Sequence, residues 1–180
     1  EALAYFARLS NAAHSLAHKQ AAQMGIARAN TKLDNYHEVT RAVDRLLENK
    51  NLSPETITEA HYLRGKAYQQ VREVDKAMSD YAIIANDTRS VYGAEAQFLM
   101  AQAYYSWKSY DKAEAQVKEF MQKTTPHQYW LARALIVLSD TYKAKGDNFQ
   151  ARQYIESLQA NYKGNESDIQ QMIQERISQE

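Results

Sequence analysis

The stretch Ala96-Gln-Phe-Leu-Met-Ala-Gln-Ala-Tyr104, followed by Tyr110-Asp-Lys-Ala113-Glu-Ala-Gln-Val117, decides the fold because it recurs. Upstream, the chain reads Ala60-His-Tyr-Leu-Arg-Gly-Lys-Ala-Tyr68 and then Val74-Asp-Lys-Ala77-Met-Ser-Asp-Tyr81. Downstream it reads Ala134-Leu-Ile-Val-Leu-Ser-Asp-Thr-Tyr142 and, past Gly146-Asp147, Ala151-Arg-Gln-Tyr-Ile155. Tyr68, Tyr104 and Tyr142 stand 36 and 38 residues apart, and Ala77, Ala113 and Ala151 keep the same two intervals. A period of this length marks a supersecondary unit that buries its apolar face only by stacking on copies of itself. A weaker copy lies upstream, with Asn30 in the tyrosine place and Val39 in the alanine place. There Val39, Val43, Leu46 and Leu47 still share one helical face. Glu1 to Leu9, with Leu3, Phe6 and Leu9 apolar, reads as the second half of one more unit.

Composition agrees with an all-helical reading. Five Gly and two Pro in 180 residues are about 4%, against a usual 12% or so. An all-β chain needs more turn residues than that. The charges cancel, 22 basic against 22 acidic, which argues against a nucleic-acid coat protein. With no Cys, disulfides, thiolate metal sites and Cys nucleophiles are excluded. The longest apolar run, Ala134 to Leu138, falls far short of the roughly 18 residues of a membrane span.

Breaks near Asp34-Asn35, Glu73-Val74, Ser109 and Gly146-Asp147 split each unit into two helices. Ser53-Pro54 and Thr125-Pro126 read as helix starts, a hydroxyl capping and a proline where no N–H is lost. The expected plan is a single domain over 1–180: a partial repeat at 1–14, repeats at about 15–50, 53–87, 88–124 and 126–163, and a capping helix at about 165–180. In that last helix Ile169, Met172, Ile173 and Ile177 form an apolar stripe, with Asn165 or Ser167 as its cap. Ala67, Ala103 and Gly65 or Ala101 on first helices, and Ala77, Ala113 and Ala151 on second helices, are the small residues that let axes approach closely. Because the chain starts at Glu1 rather than Met, an upstream region is expected, and the N-terminal edge is expected to fray or self-associate when isolated.

These residues resemble tetratricopeptide repeats, whose first helix carries an aromatic, a Leu, a small residue and a Tyr, and whose second carries Ala, an apolar residue and Ala. The resemblance spans residues 20 to 162 and is closest at Gly65/Tyr68/Ala77/Tyr81 and Ala101/Tyr104/Ala113/Val117/Phe120. It implies an all-α, right-handed α-α superhelix of about four helix pairs plus a C-terminal capping helix. Thr125-Pro-His-Gln-Tyr-Trp-Leu-Ala-Arg with Gly146-Asp-Asn-Phe-Gln-Ala also looks like the C-terminal end of long repeat proteins from bacterial envelopes. That likeness implies the periplasm or the outer-membrane periphery, with the cytoplasm as the alternative.

The catalytic inventory is empty: no Gly-rich phosphate loop, no HExxH, no nucleophile elbow. No catalytic residue, cofactor or metal is expected. His14 and His18 stand at metal-ligand spacing, but no third ligand accompanies them, and two surface histidines on an Ala-rich helix is the simpler reading. Trp107 and the Tyr129-Trp130 pair are weighed as a ligand platform against packing between repeats, and packing is the commoner fate.

The resemblance places partner binding on the inner face of the first helices. The candidates are Arg28 and Lys32; Glu59, Tyr62, Lys66, Gln69 and Gln70; Glu95, Phe98, Gln102 and Tyr105; and Arg133, Ile136, Asp140 and Lys143. Tyr62, Phe98 and Ile136 recur at one place, a stripe suited to an amphipathic peptide or helix; the alternative is that the inner-face residues meet the second helices or merely solvate the face. Met24 and those same three residues stand where chaperone-binding relatives carry a carboxylate-holding Lys, so that clamp is absent. The expected function is therefore a non-catalytic protein-interaction scaffold. A substrate-positioning or ligand- and glycan-binding accessory domain of a larger enzyme or envelope complex is the alternative.

Overall fold

The structure is a computed structural model that describes residues 1–12 and 15–178. Among the described residues there are ten α-helices and no strand: α1 (Ala2–Ala12), α2 (Leu16–Lys32), α3 (Tyr36–Leu47), α4 (Pro54–Gln70), α5 (Val74–Ile84), α6 (Val91–Ser106), α7 (Tyr110–Met121), α8 (Gln128–Ala144), α9 (Asn148–Asn161) and α10 (Ser167–Ile177). His14 of the His14/His18 pair lies outside the described residues.

The repeat is written into the backbone at the end of every first helix. Asp34, Arg72, Lys108 and Gly146 have positive φ, at 57°, 64°, 57° and 84°, and stand 38, 36 and 38 residues apart. Beyond each, an N–H reaches back five residues: Asn35 to the Asn30 carbonyl at 3.0 Å, and Glu73, Ser109 and Asp147 to Tyr68, Tyr104 and Tyr142 at 2.9 Å each. The left-handed residues themselves donate to the carbonyls of Thr31, Gln69, Tyr105 and Lys143. This is the paired-bond helix ending that satisfies orphan carbonyls. The recurring tyrosine place is thus the residue whose carbonyl fixes the turn.

The chain divides into two compact units, Glu1–Ile84 and Ala85–Glu180. In the first, consecutive helices pack on one another from α1 to α5, and α2 also touches α4. Its core joins Met24, Ala27, Val39, Val43, Leu46, Ala60 and Leu63. In the second, consecutive helices pack from α6 to α10, and α8 touches both α6 and α10. A core there joins Ala132, Ile136, Ile155, Leu158, Ile169 and Ile173. First helices therefore meet the next first helix within each unit, which lines their faces up in a row.

Local chemistry explains the boundaries. Ser53 caps α4, its hydroxyl accepting from the Thr56 N–H at 3.2 Å, with Pro54 at the first turn. Pro126 does not open α8 in the same way. Thr125 is buried and spends its hydroxyl on the Thr88 carbonyl at 2.7 Å, while the same oxygen accepts from the His127 N–H, so the helix starts at Gln128. Likewise the residue before α10 is Glu166, not Asn165 or Ser167, and it makes no side-chain cap; its carboxylate accepts instead from the Tyr162 hydroxyl at 2.6 Å. Ala67, Ala77, Ala101, Ala113 and Ala151 are buried as small-residue contacts require, whereas Ala103 is only half-buried, two residues round the helix from Ala101. No residue of α1 is buried; Leu3, Phe6 and Leu9 are half-buried, and the Phe6 ring lies where a side chain on Gly25 would stand. No helix among the described residues is long and apolar enough to cross a membrane.

Candidate functional site

In the first unit the row of first-helix faces is largely open. Arg28 of α2 and Glu59 of α4 form a two-pronged pair, Nε to Oε1 and Nη2 to Oε2, both at 2.6 Å. Arg28 remains 58% exposed in that pair. A turn further along α4, the Lys66 ammonium lies 5.8 Å from the centre of the half-buried Tyr62 ring. Lys32, Gln69 and Gln70 are exposed, and Gln69 accepts from the Tyr81 hydroxyl at 2.8 Å. Of the seven candidates on α2 and α4, Arg28 pairs with Glu59 and Lys66 lies over Tyr62, while Lys32, Gln69 and Gln70 are exposed.

The second unit treats its candidates differently. Glu95, Phe98 and Ile136 are buried, so their side chains are packing rather than surface. Helix α6 is buried all round from Gly93 to Ala101, which is why counting helix positions cannot set its inner face apart. Phe98 stacks on Trp130 at 5.6 Å between centroids, and the Arg133 guanidinium caps the Phe98 ring at 4.8 Å. Arg133 also donates to the Tyr129 hydroxyl, which donates to Asp168, each at 2.8 Å. Burial and that carboxylate push the Tyr129 phenol above its ordinary pKa. Asp140 is held by Arg176 of α10 through two bonds, at 2.7 and 2.6 Å. Helix α10 therefore lies along the α8 part of the row, engaging Arg133 through Tyr129 and Asp168, burying Ile136, and neutralising Asp140. Gln102 and Tyr105 stay half-buried and Lys143 exposed. The Tyr129–Trp130 pair, the weighed ligand platform, is committed to these internal contacts.

A polar cluster that the sequence reading did not single out lies under the open row. Asp80 of α5 is only 2% exposed. It meets His61 Nδ1 at 2.7 Å and the Arg64 guanidinium at 2.7 and 3.0 Å, and Arg64 reaches on to Asp44 of α3 at 2.7 Å. Burial alone would raise the Asp80 carboxyl, but bonds from His61 and Arg64 outweigh it and the pKa falls. The cluster ties three helices beneath the α4 face and offers no nucleophile. The signal for it was His61 and Arg64 three apart on one helix with an acid three past the Ala77 marker. Among the described residues no group of three or more His, Cys, Asp or Glu side chains could hold a metal.

Compared with family models and with curated proteins, the chain matches none.

Proposed function

We propose that this chain is a helix-pair repeat module of the tetratricopeptide kind, and that it works without catalysis by holding a segment of a partner protein along its first-helix faces. The observation that carries this reading is the surface on α2 and α4 where the Lys66 ammonium lies beside the Tyr62 ring, Arg28 pairs with Glu59 while staying 58% exposed, and Lys32 is exposed. Long basic side chains beside an aromatic ring suit an amphipathic segment with acidic residues. The rigid cluster at Asp80 supports the surface from below, so binding pays little reorganisation. The second unit's row is engaged by α10, which directs a partner to the first unit.

A photo-crosslinking residue at position 66 tests this. Under ultraviolet light in extract it should capture one partner, identified by mass spectrometry, and Lys32→Glu should abolish that capture. The same residue at Arg41, an exposed position of α3, should not capture it. Equal capture from both positions, or capture indifferent to Lys32→Glu, overturns the reading.

A further inference from the structure

We propose that the turn between α6 and α7 is a contact for an anionic lipid surface, separate from the α2–α4 face: the Trp107 indole enters the headgroup layer, and Lys108, Lys112 and Lys145 meet lipid phosphates beside it. Trp107 does not complete a core. It is the residue that ends α6, it stays 44% exposed, and it meets the Tyr104 ring edge-on at 6.0 Å between centroids. The helix ending does not require an indole, because the three corresponding places hold Leu33, Val71 and Lys145.

Basic side chains gather round this ring. The Lys112 ammonium lies 5.8 Å from the centre of the same Tyr104 ring, so indole and ammonium flank one tyrosine. From the end of α8, Lys145 reaches Asp111 at 2.7 Å and Glu114 at 2.8 Å. An open recess of about 520 Å³ lies between the two turns, lined by Lys108, Ser109, Tyr110, Asp111, Lys112 and Lys145. Lys108 is exposed and meets no carboxylate among the described residues. With Lys118, which pairs with Glu114 at 2.6 Å, four lysines stand against two carboxylates. At the corresponding end of the next helix pair, Phe149 of α9 is 69% exposed.

The form of the patch selects the occupant. An indole is an apolar body with one polar N–H, and a lysine is an apolar stem with a charged tip; both suit the headgroup depth of a bilayer. Isolated rings on turn tips bury too little to hold a folded protein, which needs a contiguous apolar centre. At a bilayer they suffice when charge attraction adds to them. A nucleic acid would draw on a basic surplus, and the charges of this chain cancel, 22 against 22. Each lysine brought near an anionic bilayer strengthens binding by about fivefold.

Co-sedimentation of the whole 180-residue chain with vesicles tests this. At low salt it should bind vesicles of equal parts phosphatidylglycerol and phosphatidylcholine at least about tenfold more tightly than phosphatidylcholine alone, and raised salt should release it. Lys108→Glu should weaken that binding by about fivefold or more, and Trp107→Ser by about threefold or more. Circular dichroism of both variants should be unchanged, as both positions are exposed. A second readout uses the unaltered chain. Bromine on the acyl chains of the anionic vesicles should quench part of its tryptophan fluorescence, and Trp107→Phe should remove the quenched part, because Trp130 is stacked on Phe98. No binding, equal binding to both vesicles, no quenching, or binding indifferent to Lys108→Glu overturns the proposal. So does tighter binding to polyglutamate or to oligothymidine than to the anionic vesicles, because either names a different occupant. Lys32→Glu should leave vesicle binding unchanged, so this contact and the α2–α4 surface stand or fall separately.

Discussion

A methyl group on Gly65 would stand 2.7 Å from Cε1 of Tyr81, closer than a carbon can sit. Tyr81 cannot easily yield. Its ring is buried and its hydroxyl is fixed to Gln69. Gly65→Ala is therefore expected to destabilise the first unit by roughly 1–3 kcal/mol through overpacking, despite the better helix propensity of alanine. Urea titration followed by circular dichroism checks this; an unchanged midpoint would contradict it.

Asp80→Ala removes the one carboxylate that both His61 and Arg64 grip, leaving a half-buried guanidinium with only Asp44. The expected loss is about 3–5 kcal/mol, the range for breaking one side of a buried pair. Asp44→Ala, at the exposed end of the same chain of bonds, should cost under about 1 kcal/mol. Comparable losses for the two variants would show that burial does not set the scale.

Acid should act through the same carboxylates. The Asp80 carboxyl is held below its ordinary pKa, and Lys118 and Lys145 pull Glu114 down to about 2 against a small opposing effect of burial. A carboxyl depressed on folding contributes stability that is fully present above its unfolded pKa and fades as pH falls through the folded one. Stability from these two groups should hold from neutrality to about pH 5 and decline below pH 4. Melting curves between pH 7 and pH 2 test it, and Asp80→Asn should flatten the acid limb. A limb of unchanged steepness in that variant would assign the decline elsewhere.

Lys108 adopts φ of 57° at the end of α6, a region that L side chains occupy at a cost. Lys108→Gly should stabilise the chain by about 1 kcal/mol, since glycine enters that region freely. A lower melting temperature would mean that the lysine side chain contributes more than its backbone strain removes.

Deleting residues 165–180 should lower the melting temperature and promote aggregation. Ile169 and Ile173 are fully buried, and their loss would expose Ile136, Ile155 and Leu158. Light scattering beside calorimetry provides the check; a deletion variant as soluble and stable as the parent would refute it.

The helices were legible because one physical requirement repeats. A small residue must stand where axes cross, and an aromatic must stand before the turn, so Ala77, Ala113, Ala151 and Tyr68, Tyr104, Tyr142 mark the period without any long-range information. The turns were legible as places but not as conformations: Asp34, Arg72 and Lys108 adopt a backbone usually reserved for glycine, and only Gly146 announces it. The candidate row was half legible. On α2 and α4, the places that the resemblance implies hold Arg28 paired with Glu59 and Lys66 over Tyr62. On α6 and α8 three of them are buried instead: Glu95 and Phe98 lie in a helix buried all round, which has no periodic signature, and Ile136 is covered by α10. The Asp80 cluster was hidden for another reason: an aspartate inside an amphipathic helix reads as solvated until its distant partners are known.

The grip on Asp80 also governs how the first unit can come apart. Arg64 and His61 of α4 hold α5 through Asp80, so α5 cannot swing away without stranding a buried carboxylate, whereas the tie from Arg64 to α3 ends on the exposed Asp44 and is weak. Partial openings, the usual route by which stacked repeats fray one helix at a time, are thereby made costly in this stretch. In hydrogen exchange the amides of α4 and α5 should vanish with one common rate, a cooperative block inside an architecture whose parts are otherwise free to melt in sequence.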